Sequence, residues 1–370
     1  MELFRFKKLD GKKMGILQLI DSLEAGGAER MAVNYANALV KQIDFSGLVV
    51  TRKEGPLYNQ IDKQVSYLFL NKKRTVDLAA LFNLRRFVKK NKVTIVQAHS
   101  TSFFLAFLLK LISPSVKIIW HDHYGDSEFL SKRPSLALRL ITPFFNGIIA
   151  VNQNLKNWAH EKLYFDNCVY FPNFPSDEKS ILEHTVLKGV NGKRIVCLAN
   201  LRVQKNHFLL LDVAKKIQLT HPEWTFHLVG KDFQDDYSKQ IKSFIIENNL
   251  GENVFLYGTK QDVKYILLQS AIAVLTSQSE GLPVALLEYG WQKKPVVVTD
   301  VGEISSVIKN GKNGFLVNVN QEQLFYDTLI QLMESDALRI DFGNAFYNTI
   351  VENYSEEMVL KKYLDWLQTI

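Results

Sequence analysis

The chain has 370 residues, of which 47% are hydrophobic and 22% charged, and a formal net charge of +7. These ordinary globular values exclude a disordered or fibrous chain, and the length suits two domains of roughly 150 to 200 residues better than one core. Two cysteines, Cys168 and Cys197, are too few for a disulfide framework or a thiolate metal site and point to a reducing compartment.

The N-terminal stretch MELFRFKKLDGKK has no apolar run before its lysines, so no secretory signal is expected. Strand-like apolar runs follow at 14–20, 46–51, 65–70, 93–99, 116–120 and 147–151. Helical patterns separate most of them, which is the rhythm of a parallel sheet with crossover helices. The longest apolar run, FFLAFLLKLI at 103–112, contains Lys110 and is well short of the roughly 20 residues that span a bilayer. A cytoplasmic chain without a transmembrane anchor is expected.

Between Lys72 and Lys92 the segment holds Lys72, Lys73, Arg74, Arg85, Arg86, Lys89, Lys90 and Lys92 against the single acid Asp77. A basic face beside exposed aromatics would suit the anionic inner face of a membrane; a solvated outer helix face is the plainer alternative, and both stay open. No nucleic-acid partner is expected, because no RNP, helix-turn-helix or zinc-finger pattern accompanies the charge.

Prolines and charges interrupt the rhythm near FPNFPSDEKS at 171–180. It resumes with runs at 193–200, 224–230, 253–258, 271–276, 295–300 and 314–317. The expected fold is α/β, with two doubly wound Rossmann-like domains, 1–175 and 176–350, and a C-terminal helix at 351–370 able to pack back on the first domain. In such sheets ligands bind outside the carboxyl ends of the strands, so an interdomain cleft is the expected site.

Three stretches carry chemistry. After the first strand, Gly26 and Gly27 precede a helix, where backbone amides can approach a phosphate; a glycine turn before a helix is also common for conformational reasons alone. After the first strand of the second half, ANLRVQKNH places Arg202 and Lys205 in a strand-to-helix turn. Cations there can hold a diphosphate, each contact contributing on the order of 1.5 to 3 kcal/mol. In SEGLPVALLEYGW, Pro283 suits a first helical turn, which puts the helix from about Pro283 to Tyr289 and Glu280 in the loop before it. Free amides at Gly281, Leu282 and Val284 then offer an anion site beside a carboxylate. Glu288 lies on the same helix among apolar neighbours, where a carboxylate without a partner is costly.

GGAER, LRVQKNH and SEGLPVALLEYGWQKKPVVVTDVGE followed by NGKNGFLV together resemble the retaining nucleotide-sugar glycosyltransferases of family 4, of GT-B fold. Glu280 and Glu288 match that family's E-x7-E motif. The resemblance covers nearly the whole chain and is strongest from 199 to 317. It implies transfer of a sugar from a nucleoside-diphosphate sugar to a hydroxyl of a glycan or lipid-linked acceptor, as in bacterial polysaccharide or glycolipid assembly, with retention at the anomeric carbon and no cofactor. By the same resemblance Glu280 holds donor-sugar hydroxyls and Glu288 the ribose. Gly281, Leu282 and Pro283 wrap the sugar and phosphates, and Gly26 and Gly27 close over the diphosphate. Lys205 and Arg202 balance its developing charge. Aligned on KNH, the family's usual arginine falls at Asn200, with Arg202 two residues later.

The family also places a histidine near the donor sugar, for which VKIIWHDHYGDS supplies His121 and His123, the strand count favouring His123. His-x-His also suits a metal, but neither Asp122 nor Asp126 completes a ligand set by spacing. No Asp-x-Asp occurs, so no metal is expected. The intact Glu280, Glu288, Lys205 and histidine pair speak against a non-catalytic nucleotide-sugar-binding scaffold subunit, and a GT-B sugar-nucleotide epimerase would not be expected to show E-x7-E. A phosphorylase would need a cofactor lysine and a longer chain, and a nicotinamide dehydrogenase the absent G-x-G-x-x-G.

Overall fold

A parallel strand covered by helices on both sides needs apolar side chains on both faces, so it reads as a nearly unbroken apolar run. In the computed structural model, which describes residues 14–125, 127–176 and 184–370, thirteen segments form strands among the described residues. The N-terminal tract read for a signal, Asp126 and residues 177–183 of the expected linker lie outside them. The chain divides into two compact units.

The first unit runs to Tyr124 and takes in Phe129–Pro172 and Val359–Ile370. Its strands are β1 (Gly15–Ser22), β2 (Phe45–Lys53), β3 (Ser66–Phe69), β4 (Ile95–His99), β5 (Lys117–Asp122), β6 (Gly147–Ala150) and β7 (Cys168–Tyr170). They pair in parallel in the order β3-β2-β1-β4-β5-β6-β7. The sheet grows outward in both directions from β1 and β4, which makes their carboxyl ends its switch point. The sequence runs anticipate six of these strands. β7 escapes them because three residues flanked by polar and proline positions carry almost no period of their own.

The sheet is mostly apolar, and its largest group of buried polar side chains lies together. Gln18, Gln97, His99 and His121 are buried on a single face, since Gln18 pairs in register with Gln97 and His99 with His121. The helix Gly27–Leu39 brings Tyr35 onto that face, 5.6 Å from the His121 ring. The C-terminal helix Glu356–Leu367 brings Tyr363, whose hydroxyl donates to Gln97 Oε1 at 2.5 Å. Trp366 of that helix donates from its indole to Asn167 Oδ1 and meets Phe171 edge-on.

The second unit holds Gly125–Glu128 and Asn173–Met358. Its strands are β8 (Arg194–Leu198), β9 (Thr225–Val229), β10 (Val254–Leu256), β11 (Ile272–Leu275), β12 (Val296–Thr299) and β13 (Phe315–Val317). All are parallel, in the order β10-β9-β8-β11-β12-β13. Here the switch point lies between β8 and β11, and the loops leaving these two strands carry the cations and carboxylate singled out above.

Gly147 shows how closely the C-terminal helix packs on the first unit. A Cβ there would lie 2.6 Å from the Trp366 ring, and that ring is held by Asn167 and Phe171. We expect Gly147→Ala to destabilise the protein by about 1–3 kcal/mol through overpacking. Urea unfolding of Gly147→Ala, Trp366→Phe and the double variant checks this, the smaller ring recovering most of the loss.

Candidate functional site

In the second unit the loop after β8 makes a single 3₁₀ turn, Val203–Lys205, and ends at Asn206 with φ of +49° before the helix His207–Thr220 begins. That reversal carries Lys205 back toward the end of β11. Its carbonyl accepts from Thr276 Oγ1 at 3.0 Å, and Gln278 N donates to Gln204 O at 2.8 Å. The Lys205 ammonium forms an ion pair with Glu280 Oε1, which also accepts from Ser277 Oγ at 2.6 Å. Glu280 is buried. A buried carboxylate is tolerated when it is paired and hydrogen-bonded, and Lys205 and Ser277 supply both conditions.

The segment after Glu280 is pinned from several sides. Leu282 O accepts from Asn173 Nδ2, and Gly281 O accepts from Glu303 N. Gly302 (φ +56°) lies against it, and a Cβ there would sit 2.0 Å from the Glu280 carbonyl oxygen. Only glycine lets the backbone approach so closely in that conformation. Pro283 caps the helix Val284–Trp291 and does not form its first turn, one residue short of the sequence expectation. With ψ of 125° it stays extended, leaving the first turn to Val284. Glu288, half-buried on this helix, lines a small depression with Ser176, Lys264 and Trp291.

Lys205 and Glu280 are thus brought together, whereas Arg202 is exposed and lies with its guanidinium 4.3 Å from the Phe233 ring centroid. At the position of the family arginine, the Asn200 side chain accepts from the backbone of Lys231 at 2.7 Å, and Lys231 Nζ approaches the same phenyl ring. A cation at this loop that sequence spacing did not flag is therefore Lys231. Nothing short of the β8–β9 register would have revealed it.

In the first unit Gly26 caps the helix Gly27–Leu39. Gly26 O accepts from Arg30 N, and Glu29 folds back so that a Cβ on Gly26 would lie 2.2 Å from its carboxylate. Glu29 also accepts from Ser22 Oγ at 3.1 Å. His121 is buried and His123 half-buried, and the structure adds a third imidazole, His99, at the end of β4. The His121 and His123 rings stand 4.0 Å apart, and His99 Nδ1 lies 3.0 Å from His123 Nε2. His99 Nε2 bonds Gln18 Oε1 at 2.8 Å and His121 Nδ1 bonds Gln97 Nε2 at 2.9 Å. Burial lowers all three imidazoles, His123 to about 3, so they are neutral at pH 7. Asp122, between the pair, takes both guanidinium nitrogens of Arg133 at 2.7 and 2.9 Å. One ground of the sequence argument against a metal was the want of a third ligand, and β4 supplies a third imidazole from 22 residues upstream of His121.

The basic segment is less uniform than its composition. Lys72 is buried, and Arg85, half-buried, donates from Nε to Ile112 O. On the helix Leu78–Lys90, Leu78, Phe82, Arg86, Lys89 and Lys90 remain exposed. Among the described residues no helix is long and apolar enough to cross a membrane.

Over residues 25–175 the chain matches the family model Glycosyltransferase Family 4, and over 178–349 the model Glycosyl transferases group 1. It is 25% identical over 365 residues to the amylovoran biosynthesis glycosyltransferase AmsD of Erwinia amylovora, covering 95% of this chain and 99% of that protein. It is also 25% identical to the UDP-Gal:alpha-D-GlcNAc-diphosphoundecaprenol alpha-1,3-galactosyltransferase of Escherichia coli, covering 93% of each. The crystal structure of Anabaena HepE in complex with UDP-glucose shares its fold, with a TM-score of 0.77 at 15% identity, over 96% of this chain and 100% of that one.

His207, which follows Lys205 in the KNH stretch, and His227 on β9 are both fully buried, and burial pushes them down to about 4 and about 3. Between pH 6.5 and pH 4 the unfolded chain takes protons that the folded one refuses, so stability is present above the unfolded value and is lost as pH falls. Each histidine steepens the loss by roughly 1.4 kcal/mol per pH unit. Urea midpoints measured from pH 7 to pH 4 should fall accordingly, with a shallower slope in His227→Gln.

Proposed function

We propose, for a chain that is a glycosyltransferase of the GT-B fold, that it moves a sugar from a nucleoside-diphosphate sugar to an acceptor hydroxyl with retention at the anomeric carbon. The observation that carries this is the Lys205–Glu280 pair at the switch point of the second sheet. An ammonium held there suits a diphosphate whose charge grows as the sugar leaves. The buried carboxylate beside it suits sugar hydroxyls, which donate to it as Ser277 does. Gly281, Leu282 and Pro283 wrap the same ligand, Glu288 takes the ribose, and Arg202 adds charge from its place over Phe233. On the first unit Gly26 and Gly27 present the amides of a helix N-terminus to the diphosphate, and His121 and His123 meet the donor sugar. Transfer itself needs no metal, because Lys205 and helix amides supply the positive charge.

The E. coli relative is named for a UDP-sugar and a diphosphoundecaprenol-linked acceptor, and the Erwinia relative for an exopolysaccharide. We therefore place this chain in bacterial polysaccharide or glycolipid assembly, with a glycan or lipid-linked acceptor, at the cytoplasmic face of the membrane. The exposed Leu78, Phe82, Arg86, Lys89 and Lys90 offer an amphipathic basic surface for anionic lipid.

A thermal-shift panel of nucleoside diphosphates and their sugar conjugates tests the donor reading, since a ligand of the native state raises the melting temperature. One nucleotide class should shift it, with or without EDTA, and the shift should vanish in Lys205→Ala. With that donor and a matched acceptor, Lys205→Ala and Glu280→Gln should each lose about 10²-fold or more in kcat, and proton NMR of the product should show the donor's anomeric configuration. Wild-type rates in either variant overturn the assignment.

Vesicle co-sedimentation tests the membrane surface. Binding should rise with anionic lipid content and fall when Arg86, Lys89 and Lys90 are replaced by Gln. Arg85 is left in place because it bonds Ile112 O.

A further inference from the structure

Three neutral imidazoles in one buried cluster are more than a donor-sugar contact requires. One ring nitrogen from each of His99, His121 and His123 lies within 4.8 Å of the others, although the residues come from the ends of two strands and the turn beyond. From the hydrogen bonds, the nitrogen each ring has left can be identified. His99 Nε2 carries a proton to Gln18 Oε1, so its Nδ1 lone pair is bare, and it is met by His123 Nε2 at 3.0 Å. His121 Nδ1 is occupied by Gln97, and its Nε2, buried, has no hydrogen-bond partner. An unpaired buried polar atom in a native interior is uncommon and costs roughly 1–3 kcal/mol.

We infer that His99 Nδ1, His121 Nε2 and His123 Nε2 form a three-imidazole site for a divalent transition-metal ion of the zinc type. The donor set fits the ion: neutral imidazoles suit Zn²⁺, and three protein nitrogens with one open position make a common tetrahedral arrangement. Two of the three ligands have their outer nitrogen held by a carboxamide, Gln18 for His99 and Gln97 for His121. Such outer partners orient the ring toward a metal. Half-buried His123 gives the ion its path in and leaves the fourth position to water. Zn–N bonds of about 2.0–2.1 Å in a tetrahedron set the nitrogens about 3.3 Å apart. One of the nitrogen pairs already stands at 3.0 Å, and the ligand atoms of all three residues lie within 4.8 Å of one another.

Protons balance without any leaving the cluster. His123 moves its proton from Nε2 to Nδ1, freeing Nε2 for the ion. His121 moves its proton from Nε2 to Nδ1, and the Gln97 amide turns over to accept it with Oε1. Gln97 Nε2 then donates to the Tyr363 hydroxyl, which now donates to Gln97 Oε1 and has lone pairs to accept. Asp122 does not join the set, because Arg133 holds both of its oxygens. Where His121 and His123 also meet the donor sugar, the ion and the donor compete for them. Zn²⁺ is then an inhibitor of a reaction that EDTA leaves untouched.

Co²⁺ titration of the full-length apo protein tests the site independently of activity. The visible bands of four-coordinate Co²⁺ should appear with one equivalent per chain, Zn²⁺ should displace them, and Zn²⁺ should raise the melting temperature. His99→Gln should abolish the bands and the shift, and His123→Asn, at the more exposed position, should do the same if His99→Gln does not fold. Absent bands and absent shift in the wild type, or bands that survive in both variants, overturn the site. Zn²⁺ binding that leaves wild-type transfer unaffected supports the site and removes His121 and His123 from the donor reading.

Discussion

A parallel sheet that grows outward from two central strands leaves their carboxyl ends diverging, with connections that run to opposite faces. That constraint acts twice in this chain, at β1–β4 and at β8–β11, and the candidate chemistry collects at both places. Backbone groups beyond the last ladder bond must find partners elsewhere, and the loops there are built from short polar exchanges. Thr276 bonds Lys205 O, Gln278 N bonds Gln204 O, and Glu303 N bonds Gly281 O. The Lys205–Glu280 pair sits inside this lattice of backbone contacts, so its geometry is inherited from the sheet.

The two switch points are furnished differently. The second presents a buried charge pair, where each ion is tolerable because the other and Ser277 satisfy it. At the first the imidazoles are neutral, kept so by burial, and two of the three are held by carboxamides. Opposite charges at one and neutral nitrogen donors at the other suit a diphosphate and a soft-edged ligand respectively. The C-terminal helix belongs with the first unit and closes the face on which Gln97 and His121 lie, so the last residues of the chain bear on the chemistry of its first sheet.

Much of the fold was legible because apolar runs and helical periods are local properties. All six strands of the second sheet, and six of the seven in the first, coincide with runs of the sequence. Of the site, Lys205 and Glu280 were legible as residue types at the ends of strands, and Gly26 and Gly27 as a turn before a helix. Arg202 was equally conspicuous, and it lies over Phe233, a ring 31 positions away that no local period places beside it. Lys72 and Arg85 counted toward a basic surface in composition, but one is buried and the other is bonded to Ile112 O.

What the sequence determined alone is the pair of doubly wound sheets and the set of groups at the ends of β8 and β11, since both follow from neighbours within a few residues. What only tertiary structure decided is which of those groups meet. His99 joins His121 through the register of β4 on β5, and Tyr363 reaches Gln97 across 266 positions. No local period encodes such a meeting, because it depends on how strands stack and on where a returning helix lands. The third imidazole was therefore invisible as a ligand until the sheet placed it beside the other two.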